Sequence, residues 1–258
     1  MKQMIWSGQG PIYFGTFDAE NGTPSMGYLT NLYRIGAANS VLSTTPQRET
    51  STIKESNSGQ RLDIAELETS KGLQVGLTMH QFDRETLARA FFASSTLQES
   101  GTATEEALPT VADGDFAFLK HPHASNVVIS DSEGTPTTLT ADQHYRVVDA
   151  DQGIIQFLNV DSLTQPFLVD YEHGGYGNIA AFTATNVRTG IVFTGRNQDG
   201  DKARVIIPQL SLSINGDFNW ISDEESELQM QGVAFYTEAL DTVGSVYGPF
   251  MRIDALPD

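Results

Sequence analysis

The sequence predicts a mainly β fold, a sandwich or barrel of many short strands with one helix. Three observations predict it. Runs such as "GLQVGLTM" (72–79) and "QLSLSI" (209–214) alternate apolar and polar residues, with the two-residue period of a half-buried strand. One segment, "DRETLARAFFAS" (83–94), stands out with helix signals. Turn-forming stretches such as "DADQG" (149–153) and "NQDGD" (197–201) punctuate the rest, and no repeat of 20–50 residues is present.

Taken in order, "PIYFGTFD" (11–18) and "YLTNLYRIG" (28–36) are the first strands. A polar excursion follows at 44–63. "LDIAELE" (62–68) places Leu62, Ile64 and Leu67 near one face, and "TSKG" (69–72) is expected to turn the chain. In the next strand Leu73, Val75, Leu77 and Met79 face one way, and Gln74, Gly76 and Thr78 the other.

Asp83 is a good N-cap for the helix, and Glu85 lies in its first turn, where the dipole favours an acid. Leu87, Phe91 and Phe92 form a stripe expected to join the core. Residues 95–114 are small, polar and acidic and read as a surface connection.

Strands resume at 116–122, 125–130, 144–158 (broken by a turn at 149–153) and 166–174, with two or three more over 180–208. Two amphipathic strands close the pattern, carrying Leu210, Leu212 and Ile214, then Leu228 and Met230. The acidic knot Asp223, Glu224, Glu225 and Glu227 sits between them. The chain reads as a single domain over 1–258, with an N-terminal arm at 1–10 and a β-rich elaboration at 110–175.

Composition narrows the function. The net charge is −18, which argues against gripping nucleic acid, because grip comes from Lys and Arg at phosphates. There is no cysteine, hence no disulfide, thiolate metal site or cysteine nucleophile, which fits assembly in a reducing cytoplasm. The N-terminus lacks the apolar run of a signal peptide, and no stretch approaches the roughly 20 apolar residues of a membrane span.

Motifs for chemistry are absent. "HPH" (121–123) is the one close histidine pair and reads as turn histidines rather than a metal site. "DADQG" and "NQDGD" do not meet the EF-hand pattern, and the glycines of "GQGPIYFG" and "HGGYG" do not form a phosphate loop. No nucleophile elbow or zinc-protease motif occurs. The expectation is a protein that is not an enzyme and needs no cofactor or metal. A sugar-binding or adhesin-type β-sandwich using Trp6 or Trp220 is the competing reading, and an acid-catalysed hydrolase ranks below it.

The order of features carries a resemblance over nearly the whole chain. "GPIYFGTFD" and "LTNLYRIG" precede the excursion "TTPQRETSTIKESNSGQRLD"; "GLQVGLTMHQF" and "DRETLARAFFA" follow it. The end, "RVIIPQLSLSINGDFNWISDEESELQMQGVAFY", supplies a closing strand pair. Together these resemble the major tail tube protein of long-tailed, siphovirus-type bacteriophages. The resemblance implies a β-sandwich flanked by a helix, with six copies closing a ring around a continuous inner β-barrel. Stacked rings would form a tube that encloses the tape-measure protein and conducts DNA into the host. The implied partners are further copies of the chain, the tail terminator and distal tail proteins, with DNA only in transit. The implied location is the virion, after assembly in the bacterial cytoplasm.

Residues follow from that resemblance. Ring stacking falls to the excursion, through Arg48, Ile53, Lys54, Glu55, Ser58, Gly59 and Arg61, with its cations reaching carboxylates of the next ring. Arm contacts fall to Trp6, Pro11, Ile12, Tyr13 and Phe14. Channel lining falls to the polar positions Gln74, Thr78, Gln209, Ser211, Ser213, Glu227, Gln229 and Gln231.

Overall fold

The computed structural model describes residues 6–36, 40–185, 187–241 and 247–256. The fold is mainly β and comprises two compact units, where the sequence reading kept one domain. One unit is 1–94 with 179–258, and the other is 95–178.

The first unit is a curled, antiparallel, eight-stranded sheet. Its strands are β1 (Ile12–Phe17), β2 (Leu29–Arg34), β3 (Val41–Lys54), β4 (Asp63–Met79), β13 (Thr189–Arg196), β14 (Lys202–Ile214), β15 (Leu228–Ala234) and β16 (Arg252–Leu256). The order is β2-β1-β13-β14-β15-β4-β3, with β16 paired to the first half of β14. The second unit holds β6 (Gly101–Ala107), β7 (Phe116–Phe118), β8 (Ala124–Ser130), β9 (Tyr145–Asp149), β10 (Ile154–Phe157) and β11 (Leu168–His173). A two-stranded ribbon, β5 (Ser94–Gln98) with β12 (Tyr176–Ala180), lies where the chain passes between the units.

One face of the large sheet builds the main core. Phe14, Val75, Leu77, Ile191, Ile207, Leu210, Leu228 and Met230 are all buried there. Helix α1 (Arg84–Ala90) covers part of this face with Leu87, Ala90 and the following Phe91. Asp83 caps it, its Oδ1 accepting the Thr86 amide at 2.8 Å. The expected stripe is shorter than predicted. The helix ends at Ala90, and Phe92 takes a left-handed φ of 49°, so it leaves the stripe and stays outside the core cluster. Over β1, β13 and β14 the opposite face carries a smaller cluster of Leu29, Val192 and Ile206.

A bulge explains how β14 serves both halves of the sheet. Val205 and Ile207 face the main core on one side of it, and Leu210 and Leu212 on the other. The register shifts between Leu210 and Ile207, and Pro208, which has no amide hydrogen for the ladder, sits there.

Two expectations are overturned. "TSKG" does not turn the chain, because β4 runs through it paired with β3: Lys71 lies opposite Arg48 and Gly72 opposite Gln47, with a register shift at Thr69. A long partner strand supplies the ladder that a turn would forgo. The 95–114 stretch is not a plain connection either. Gly101–Ala107 forms β6, paired with β11 despite its polar composition.

The second unit has two three-stranded sheets, β6-β11-β8 and β7-β10-β9, that share one core. Ile129, Val169 and Tyr171 enter it from the first sheet, and Ala117, Ile155 and Phe157 from the second. Tyr145 is buried with its hydroxyl donated to the Val127 carbonyl at 3.0 Å, so its polar end is satisfied. The 110–175 stretch belongs to this unit, whose bounds are wider than the predicted elaboration.

Candidate assembly surfaces

Three surface features of the first unit follow directly from the strand pattern. The first is an open polar face. In antiparallel strands, paired residues share a face. Ser211 pairs with Val233, which pairs with Gln74, which pairs with Thr45. The next row is Ser213, Gln231, Gly76 and Ser43, and the row after it holds Gln229, Thr78 and Val41. Six of the eight predicted lining residues, Gln74, Thr78, Ser211, Ser213, Gln229 and Gln231, therefore lie together on one face of β14-β15-β4-β3. Glu227 ends that face, accepting from the Gln229 amide at 2.8 Å and lying 3.2 Å from His80 Nε2.

Gln209 does not join them. It sits at the bulge beside Pro208, is 8% exposed, and its Oε1 accepts from Arg188 at 3.1 Å. The Arg188 guanidinium in turn lies 4.5 Å from the Phe235 ring centre. The bulge swaps the alternation of β14 at that residue, so Gln209 is a buried bracing group.

The second feature is the excursion, an ordered hairpin arm. Beyond β15, strands β3 and β4 pair only with each other, and residues 56–71 are exposed throughout. Strands of this length carry the tip about 25 Å out. Ile53, Leu62, Ile64 and Leu67 are exposed along the arm, Ile64 at 63%. Ile53 lies opposite Ala65 and Leu67 opposite Ser51, so Ile53 and Leu67 share one face of the ribbon, and Ile64 sits at a register shift.

The tip is built on Glu55. Its carboxylate accepts from the Ser58 hydroxyl and, at 3.0 Å each, from the amides of Ser58 and Asn57. Those bonds, the Ser58 hydroxyl first, hold its carboxyl below the usual range. Gly59 and Arg61 turn the tip with φ of 77° and 52°.

Within one chain, three of the arm's four cations pair inside the arm. Arg48 pairs with Glu68 and Lys54 with Asp63, both at 2.7 Å and both within the arm. Lys71 also reaches Glu68 at 2.6 Å. Arg61 forms no ion pair among the described residues. Residues 45–71 hold four cations and five acids, so the arm is nearly neutral in a chain of −18.

The third feature is an open groove of about 940 Å³ between β3, β1 and β16. Ile12, Val41, Leu42, Phe193, Met251 and Ile253 line it, with Arg34 as its charged member. Of the predicted arm residues, Ile12 and Phe14 are strand residues of β1 that pack in the main core, Phe14 fully buried and Ile12 nearly so where it borders the groove. Tyr13 packs on the smaller cluster of the opposite face. Trp6 and Pro11 border the groove, and the Trp6 ring lies over Gly8 and Gly195. Residues 1–5 of the predicted arm lie outside the described residues.

The loop 215–227 carries the acidic knot and two exposed apolar residues, Trp220 and Ile221, at 75% and 97%. Phe218 anchors the loop against Phe82 and Phe91. Trp220 packs edge-on to Phe218 and Trp6 lies at Gly195, so they occupy different surroundings and form no shared platform.

In the second unit, "HPH" does not act as a pair. His121 stacks on His173 with ring centres 4.1 Å apart, whereas His123 meets Asp151 at 3.4 Å. Tyr171, which donates to Glu106 at 2.6 Å, is held protonated well above its ordinary range by burial and by that bond.

A family comparison matches residues 5–254 to the family described as "Protein of unknown function UCP028589", and the chain belongs to that family. No curated protein matches it.

Proposed function

We propose that the chain, a member of that family, is a structural subunit that polymerises, as stacked hexameric rings, into a phage tail tube. The observation that carries the reading is the hairpin arm. A two-stranded ribbon has no core of its own and is marginal in water, and exposing Ile53, Leu62, Ile64 and Leu67 adds to the cost. A second copy that covers the arm removes both liabilities.

Two further features support the reading. Among the described residues β2 and β3 end the large sheet with unpaired edges, and natural proteins cover such edges or close them into barrels. The polar face of β14-β15-β4-β3 suits a channel wall. It offers amides and hydroxyls instead of cations, so phosphates passing it find no partner that releases counterions. In this reading the tube would surround the tape-measure protein and later pass DNA into the host.

Negative-stain images and sedimentation of the concentrated full-length protein test the proposal. Rings or tubes are expected. A monodisperse monomer at high concentration and high salt, which also fails to enter tails, would falsify it.

A further inference from the structure

The two outer sheet faces of the 95–178 unit differ in chemistry. On β6-β11-β8 the outward positions include Asp170 and Glu172, which hold the Glu105 amide and the Asn126 side chain. On β7-β10-β9 they are mostly apolar and aromatic, with Gln156 and Arg146 among them. Ala117, Ile155 and Phe157 turn inward, so Phe116, Phe118, Ile154 and Gln156 turn outward, beside Arg146 and Val148. Phe118 lies opposite Ile154, and Phe116 opposite Gln156, which lies opposite Arg146. Phe116 and Phe118 are 54% and 66% exposed.

Size and charge narrow what this face accepts. Two half-exposed phenyl rings with Val148 present on the order of 300 Å² of apolar surface, short of the roughly 450 Å² of apolar area that one partner contributes to a stable protein interface. The occupant is therefore small in footprint and flat. Arg146 is already paired with Asp142 at 2.9 Å, and the chain is strongly acidic, so polyanions are repelled rather than held. Gln156 has no side-chain hydrogen bond among the described residues. An uncharged chain of sugar rings meets these conditions. Its C–H faces stack on phenyl rings, and its hydroxyls bond to an amide and to a paired guanidinium and carboxylate.

We propose that the outer face of β7-β10-β9 binds a neutral polysaccharide, with Phe116 and Phe118 as the stacking platform and Gln156 as the hydrogen-bonding group. Each site is weak, and an assembly of many copies would multiply it. The single-chain site does not depend on the tube reading.

Native affinity electrophoresis of the full-length protein, in gels cast with neutral glucan, mannan, xylan or galactan, tests it. Retardation by at least one polymer is expected, unchanged at high salt. Phe118→Ser should weaken it about tenfold, and Gln156→Ala should weaken it less. Phe118→Tyr keeps the ring and should keep the binding, which separates lost stacking from misfolding. Retardation by none of the polymers overturns the proposal, as does binding that survives Phe116→Ser with Phe118→Ser in a folded chain. A shift of oligomeric state in those variants also overturns it, since the face would then be a contact between copies.

Discussion

Arg48 and Glu68 close a 2.7 Å ion pair across the hairpin arm, one strand to the other. Lys71 holds the same carboxylate from its other side, and these bonds, with Lys71 first, keep Glu68 below the usual carboxylate range. The arm thus pairs three of its four cations internally, leaving Arg61 and the exposed apolar residues as its unpartnered surface among the described residues.

Charge and apolar substitutions in the arm should therefore separate. Arg48→Ala removes one solvent-exposed ion pair and should leave self-association nearly intact. Replacing Ile53, Ile64 and Leu67 together with serine should abolish it while the melting temperature holds. Sedimentation of both variants beside the parent protein reads the difference. Equal loss in both would assign the contact to charge.

Gly232 lets β15 come close to the backbone of β14. A Cβ there would stand 1.8 Å from the Ser211 carbonyl oxygen, a backbone atom that cannot swing away. Gly232→Ala should cost about 1–3 kcal/mol in denaturant unfolding and weaken the closing strand pair. Gly59→Ala is the contrast. Its Cβ meets nothing within 4 Å, and its cost, from φ of 77°, should stay local to the arm tip.

What was legible in the sequence follows from which signals are local. Leu73 to Met79 and Leu210 to Ile214 alternate because one face of each strand is buried, and that same period placed Gln74, Thr78, Ser211 and Gln229 together. Gln209 escaped because a bulge shifts the alternation by one residue, and the one hint was Pro208 inside an apolar run. "TSKG" carries turn residues, yet pairing with Arg48 and Gln47 overrides that preference. Gly101–Ala107 has no strand signature of its own and depends on β11. The outward rings of Phe116 and Phe118 were hidden because "FAF" fixes a period but not which residues face the core. Small Ala117 between large neighbours was the available cue.

Asp83 is the sole side-chain cap of α1, accepting the Thr86 amide at 2.8 Å, and Thr86 is fully buried. Asp83→Ala should destabilise the first unit by about 1 kcal/mol, and Asp83→Ser should restore most of it. Chemical denaturation of the three chains measures this. A loss that serine fails to recover would mean that the charge, rather than the cap, matters.

His121, stacked on His173 with ring centres 4.1 Å apart, should make the 95–178 unit sensitive to acid. Burial, then the nearby charges of His173 and Lys120, hold His121 below its ordinary value of 6.5, with Glu106 opposing. Tyr176 shares a hydrogen bond with its Nδ1 at 3.1 Å, and Tyr171 lies beside both rings. Above 6.5 His121 is neutral in the folded and the unfolded chain, and it leaves stability unchanged. As pH falls through 6.5 the unfolded chain takes up a proton that the folded unit resists, so stability declines until the folded pKa is passed. Hydrogen exchange of β7, β8 and β11 at about pH 7.5 and 5.5 should show faster opening at the lower value, corrected for the intrinsic rate. His121→Phe, which keeps a ring against His173 and cannot titrate, should flatten that dependence. Protection that is equal or greater at the lower pH in the parent chain would remove His121 as its source.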